Sequence, residues 1–129
     1  MFPLILSDDI LIVEQTSSYN IGDIIIFRDE MKVYIAHRII SLSPLRTKGD
    51  FSVLSEIVTH ETIFGRVSAI KKNKSEVSLY GKGLPMRLFA EISKMRLKGP
   101  FLRKISLLLL HVITTIFLLI YSRPRRDHI

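Results

Sequence analysis

Residues 21–41 read IGDIIIFRDEMKVYIAHRIIS, and the fold turns on this stretch. Ile21-Gly22-Asp23 is a turn signal that opens the β-branched run Ile24-Ile25-Ile26-Phe27, and Arg28-Asp29-Glu30 is a polar turn. Lys32 to Ser41 then returns as a longer strand, so the two runs predict a hairpin. Alternation in the returning strand places Val33, Ile35, His37 and Ile39 on one face, with the charged Arg38 on the other.

The pattern extends outward from the hairpin. Ile10 to Val13 is a further strand, Thr47-Lys48-Gly49-Asp50 ends a short extended stretch in a turn, and Phe64–Lys72 pairs with Glu76–Leu79 across Lys72-Asn73-Lys74. Short strands so closely spaced predict a mainly β structure, a small closed or folded-over domain over residues 1–82. From Pro85, Leu88, Phe89, Ile92 and Met95 recur at helical spacing until Gly99-Pro100 stops them, which predicts a basic amphipathic helix within residues 83–104. Residues 105–121, ISLLLLHVITTIFLLIY, carry no formal charge beyond the titratable His111 and predict a C-terminal transmembrane helix about 26 Å long. Its polar residues, Ser106, His111, Thr114 and Thr115, are too few and too mild for the water-facing side of a helix lying flat on a membrane. Basic residues flank both of its ends, so charge sets no orientation, and residues 122–129 read as a basic tail. The apolar start, MFPLIL, is too short for a signal sequence or an anchor.

The chain has 129 residues, 47% of them apolar, and a mean hydropathy of +0.28. That leaves room for one modest core with an appendage. The net charge of +7 is uneven: residues 1–70 hold six basic and nine acidic side chains, residues 71–104 ten and two. A basic segment leading into an apolar run fits a juxtamembrane belt, whereas a nucleic-acid binder would carry a basic, aromatic-bearing face on the folded domain itself. Membrane is therefore an expected partner and nucleic acid is not. The chain has no cysteine, which removes disulfides, thiolate ligands and a thiol nucleophile.

Among residues able to carry chemistry, His37 stands out. Imidazole titrates near neutrality and suits a general base, although a histidine among apolar neighbours is more often a core residue satisfied by one hydrogen bond. Asp50 ends a turn whose glycine permits an unusual backbone, and its carboxylate is placed to accept an imidazole Nδ1 proton; the bland alternative is a solvated Lys48-Asp50 pair. Glu56 and Glu61 are further carboxylates in the following loop. His37, His60, His111 and His128 have no ligand spacing, so no metal is expected, and no phosphate-binding glycine loop suggests a cofactor.

Taken in order, Met1-Phe2-Pro3, Asp8-Asp9 before Ile10–Val13, Gly22-Asp23-Ile24-Ile25-Ile26-Phe27, His37-Arg38-Ile39, Thr47-Lys48-Gly49-Asp50, Glu56 and Gly65-Arg66-Val67 resemble the signal peptidase I family. The likeness is to its Ser-His branch, of endoplasmic-reticulum and archaeal type, and covers residues 1–70. Asp8 stands where the family has a glycine. The resemblance implies a membrane-bound serine endopeptidase, single-pass here, with an extracytoplasmic catalytic domain acting on signal or other precursor peptides. It implies His37 as the base and Asp50 and Glu56 as acidic supports. The family's second aspartate is here glutamate, one methylene longer, which leaves Asp50 as an alternative source of the orienting contact. Met1, Phe2 and Pro3 match the substrate-binding residues that follow the nucleophile, and the serine itself would precede Met1. Ser7 lies past that turn and is no substitute. The autoproteolytic repressor-type proteases share the Ser-Met-x-Pro element but use a lysine base, which His37 argues against. The alternative implied is a non-catalytic, membrane-tethered peptide-binding relative.

Overall fold

In the computed structural model, which describes residues 1–125, the chain runs β1 (Ile10–Glu14), β2 (Ile24–Arg28), β3 (Tyr34–Leu42), β4 (Leu45–Lys48), β5 (Glu56–Ile57), a short 3-10 turn, β6 (Ile63–Lys71), β7 (Ser75–Ser78), α1 (Gly83–Met95), α2 (Pro100–Tyr121) and β8 (Ser122–Pro124). The strands form one antiparallel sheet in the order β5-β4-β3-β2-β6-β7-β8, with β1 also on β6. The hairpin forms as its pattern predicts, Ile25 standing opposite His37 and Phe27 opposite Ile35. Val33 falls in the turn before β3 and is exposed, so it does not share the face of Ile35, His37 and Ile39.

Long β6 is what folds the sheet over. One edge holds β1; the other holds β2 along the first half of the strand and β7 along the second. Alternation then gives the sheet two apolar sides. Ile24, Val67, Ile70 and Val77 join Leu4, Met86, Phe89, Leu110 and Phe117 in the larger core, while Ile25, Phe27, Ile39, Leu45 and Val58 form a second. The amino-terminal segment is fixed through Leu4 and through Lys72 Nζ, which donates to Leu4 O at 2.8 Å and to Asp9 Oδ2 at 2.5 Å.

Helix α1 starts two residues ahead of Pro85 and buries Met86, Phe89, Ala90, Ile92 and Ser93. It docks backbone to backbone on Gly22, where an added Cβ would lie 2.5 Å from the Met86 carbonyl carbon. The helix ends ahead of Gly99-Pro100, where its pattern stops in the sequence, but residues 100–104 do not stay with the basic segment over 83–104. Gly99, at φ 116°, breaks the chain, and Pro100 opens α2, so residues 100–104 belong to the apolar helix.

Helix α2 has 22 residues, about 33 Å, and is long and apolar enough to cross a membrane. One stripe, Ser106, Leu110, Thr114 and Phe117, is buried against the domain, with Phe117 edge-on to Phe89 at 5.7 Å. The opposite stripe, including Leu108, Val112, Ile116 and Leu119, is exposed. The predicted tail does not simply leave the domain: residues 122–124 pair with β7, Ser122 opposite Val77 and Pro124 opposite Ser75. Residues 126–129, with Arg126 and His128, lie outside the described residues.

Candidate active site

Two successive strand pairings assemble the surroundings of His37. Ile39 stands opposite Thr47 across β3 and β4, and Thr47 stands opposite Glu56 across β4 and β5. Residues at such positions share a face, so His37, Ile39, Thr47 and Glu56 converge. His37 Nδ1 and Thr47 Oγ1, the latter at 2.5 Å, both hydrogen bond to Glu56 Oε1. Burial alone would raise the Glu56 carboxyl; the bonds from His37 and Thr47 outweigh it and hold the group below the usual carboxylate range. An anionic acceptor at Nδ1 assigns the ring proton to that nitrogen and leaves Nε2 free to accept another.

Nε2 sits against Gly49. A Cβ there would fall 3.0 Å from Nε2 and 3.2 Å from Cδ2. Gly49 is not in the left-handed region; its contribution is room for the ring rather than an unusual backbone. The ring is edge-on to Phe27 at 6.0 Å, and its side chain keeps 23% exposure, so it is approachable from solvent.

Asp50 does not orient the imidazole. Both of its oxygens are taken by Arg38, Nε and Nη2 donating at 2.8 Å each, and both side chains are fully buried. Arg38 Nη1 also donates to Gly22 O at 2.8 Å, and its guanidinium lies over Phe89 at 4.7 Å. The ion pair thus ties the loop after β4 to β3 and α1 on the side of the sheet away from His37. The orienting contact comes from Glu56, whose extra methylene spans the distance. Lys48 is buried too, so the solvated Lys48-Asp50 pair does not occur. Its Nζ donates to the carbonyls of Gly49 at 2.6 Å, Asp50 at 3.3 Å and Ser52 at 2.6 Å, clamping the loop that carries Gly49. Burial lowers the Lys48 ammonium to about 8, against the opposing charge of Asp50.

Met1 reaches the same loop from the other side. Its amino group is lowered by burial, with Asp50 opposing and Arg38 reinforcing the shift. Pro3 is buried, while Phe2 is exposed and meets Phe51 edge-on at 5.5 Å and His111 of α2 at 5.4 Å. Of the expected substrate-binding triplet Met1-Phe2-Pro3, Phe2 therefore touches Phe51, two residues past the Gly49 that lies against His37. Ser7 is exposed on the surface, and the Ser52 hydroxyl is engaged with the Leu54 carbonyl at 3.1 Å. Glu61 is exposed. Among the described residues, no three His, Asp or Glu side chains stand close enough to hold a metal ion. Two cavities lie away from His37, one of about 470 Å³ lined by Glu14, Asp23, Arg66 and Lys82, the other by residues at the end of α2.

No protein-family model, curated protein or solved structure matches this chain. The residues that sequence reasoning missed are Thr47, as second donor to Glu56, and Lys48, as loop clamp. Both lie in the tetrapeptide already singled out, but their roles follow from the β4–β5 register and from burial.

Proposed function

We propose that this chain carries the catalytic domain of a membrane-bound endopeptidase of the signal-peptidase type, acting on precursor peptides at an extracytoplasmic bilayer surface. The observation that carries the reading is the Glu56–His37 pair, with Nδ1 anchored on a carboxylate and Nε2 left open against Gly49. In this reading a seryl residue preceding Met1 supplies the nucleophile. His37 Nε2 takes the hydroxyl proton as the oxygen attacks the scissile carbonyl, and Glu56 stabilises the imidazolium so formed. The imidazolium passes that proton to the leaving amine as the C–N bond breaks, leaving an ester. Water then attacks the ester, giving up its proton to Nε2, and the imidazolium returns that proton to the seryl oxygen as the C–O bond breaks, which regenerates the serine and releases the acid product. Phe2 and Phe51 offer apolar surface beside the reacting carbonyl. Helix α2 holds the domain at the membrane. A single crossing, the form expected from its composition, requires β8 to leave β7.

One observation favours a second reading, a peptide-binding module without hydrolysis: among the described residues, no hydroxyl bonds His37 Nε2. The chain, with and without an added amino-terminal segment ending in serine, is placed in vesicles and offered precursor peptides having a small residue before the cleavage point. The extended chain is expected to cleave them and its His37→Ala variant to be inert with an unchanged circular dichroism spectrum. Cleavage that survives His37→Ala removes the assigned base. An inert but folded extended chain leaves the binding module.

A further inference from the structure

Helix α2 is apolar on both faces, and each face has a different neighbour to satisfy. The inner stripe of Ser106, Leu110, Thr114 and Phe117 is occupied by the domain, while Phe101, Leu108, Val112, Ile116 and Leu119 face outward along the helix. A soluble protein would put polar residues on that outer side. Here Thr115 turns its hydroxyl back to His111 O at 2.9 Å, so it offers an outside partner little.

Both ends of α2 are fastened to the same domain. At the start, Arg96 Nη1 donates to Arg103 O at 3.1 Å and Arg103 Nε to Arg96 O at 3.0 Å, while Arg96 Nε donates to Phe51 O at 2.9 Å. At the finish, β8 continues the sheet through β7, and Arg125 N donates to Lys74 O at 3.0 Å. A crossing of the roughly 30 Å hydrocarbon layer would carry β8 to the opposite side from β7 and forfeit that ladder. Lying in the plane costs none of it. The usual demand that an interfacial helix show a polar face is met differently here, because the domain covers the second face.

Charge selects the kind of surface. No acidic residue occurs between Glu91 and Asp127, whereas Lys98, Arg103 and Lys104 lie near one end of α2 and Arg123 and Arg125 follow the other. At the latter end a cavity of about 870 Å³ is lined by Lys71, Lys82 and Arg123 together with Ile120 and Tyr121, so cationic groups adjoin the exposed apolar face directly. Glu76 is its acidic member.

We propose that α2 is a monotopic membrane element: it lies in the plane of an anionic phospholipid leaflet, its outer stripe among the acyl chains and the Lys71-Lys82-Arg123 cavity taking a phosphate headgroup. This stands whether or not the domain is a protease. The cysteine-free sequence suits a direct test. Full-length chains with Lys98→Cys or Arg125→Cys are bound to preformed sealed vesicles of phosphatidylcholine and phosphatidylglycerol and treated with a membrane-impermeant maleimide. In-plane seating predicts complete labelling at both positions from outside; protection of one of the two ends overturns it in favour of a crossing. Leu119→Asp is expected to weaken vesicle partition roughly tenfold or more with unchanged circular dichroism, the scale of losing one buried apolar side chain. Lys82→Glu with Arg123→Glu should weaken binding to phosphatidylglycerol vesicles and spare phosphatidylcholine ones. Undiminished partition of Leu119→Asp, or a dimer by light scattering that ignores vesicles, refutes the lipid occupant.

Discussion

Gly49 and Glu56 hold His37 from opposite ends of its ring, one by leaving space at Nε2 and the other by accepting from Nδ1. Under the proposed hydrolytic function, each acts on turnover through the imidazole. In the serine-extended chain, Glu56→Gln keeps an oxygen acceptor but loses the anion that stabilises the imidazolium; kcat should fall by about two to four orders of magnitude with KM little changed. Gly49→Ala forces the ring aside by a few tenths of an ångström and should cost about ten- to a hundredfold in kcat. Its check is the His37 ring resonances, which should move while the melting temperature stays. A Glu56→Gln variant that turns over normally would mean the carboxylate is structural only. Sequence alone separated His37 from the other histidines by its place on an apolar strand face. It did not choose between Asp50 and Glu56, because that choice depends on two successive strand registers, β3 with β4 and β4 with β5.

The pairings legible in the sequence are those between local partners: β2 with β3 and β6 with β7 are joined by short polar turns, whereas β1 was legible as a strand without its distant partner β6. β8 was not legible. Ser122-Arg123-Pro124 has neither a β-branched run nor a full set of donors, and its partner β7 lies more than forty residues back. Likewise the start of the apolar helix was drawn by charge at residue 105, whereas the helix opens at Pro100, directly after the Gly99 break that the sequence marked. The two stripes of α2 differ in what they stabilise. Phe117→Ala, which empties the contact with Phe89, should lower unfolding free energy by about 3–5 kcal/mol in denaturant melts of the detergent-held chain. Leu119→Ala, on the outer stripe, should stay within about 0.5 kcal/mol. The reverse ranking would put the wrong face of α2 against the sheet.

Across the whole molecule, charge is distributed as a basic helical side behind a β-domain whose first seventy residues are mildly acidic, and a few ionisable groups are carried into the interior. Lys48 makes the largest pH signature. Its ammonium is lowered by burial to about 8 in the fold and stands near 10.5 in the unfolded chain, so between those values the unfolded chain binds more protons and stability rises with pH. Thermal melts of the native sequence should climb from about pH 8 to 10 relative to Lys48→Met, and parallel curves would contradict the assignment. Glu56 acts at the other extreme: its contribution is complete above the ordinary carboxylate range and fades as pH falls through its lowered value. Gly22 carries a different kind of constraint. With φ at 101° and the α1 backbone within 2.6 Å of where a side chain would begin, no other residue fits between turn and helix. In a saturation library of the serine-extended chain scored for the proposed cleavage, positions 22 and 37 are expected to be comparably intolerant and separable by abundance: substitutions at 22 vanish from the folded pool, those at 37 persist in it as inert protein.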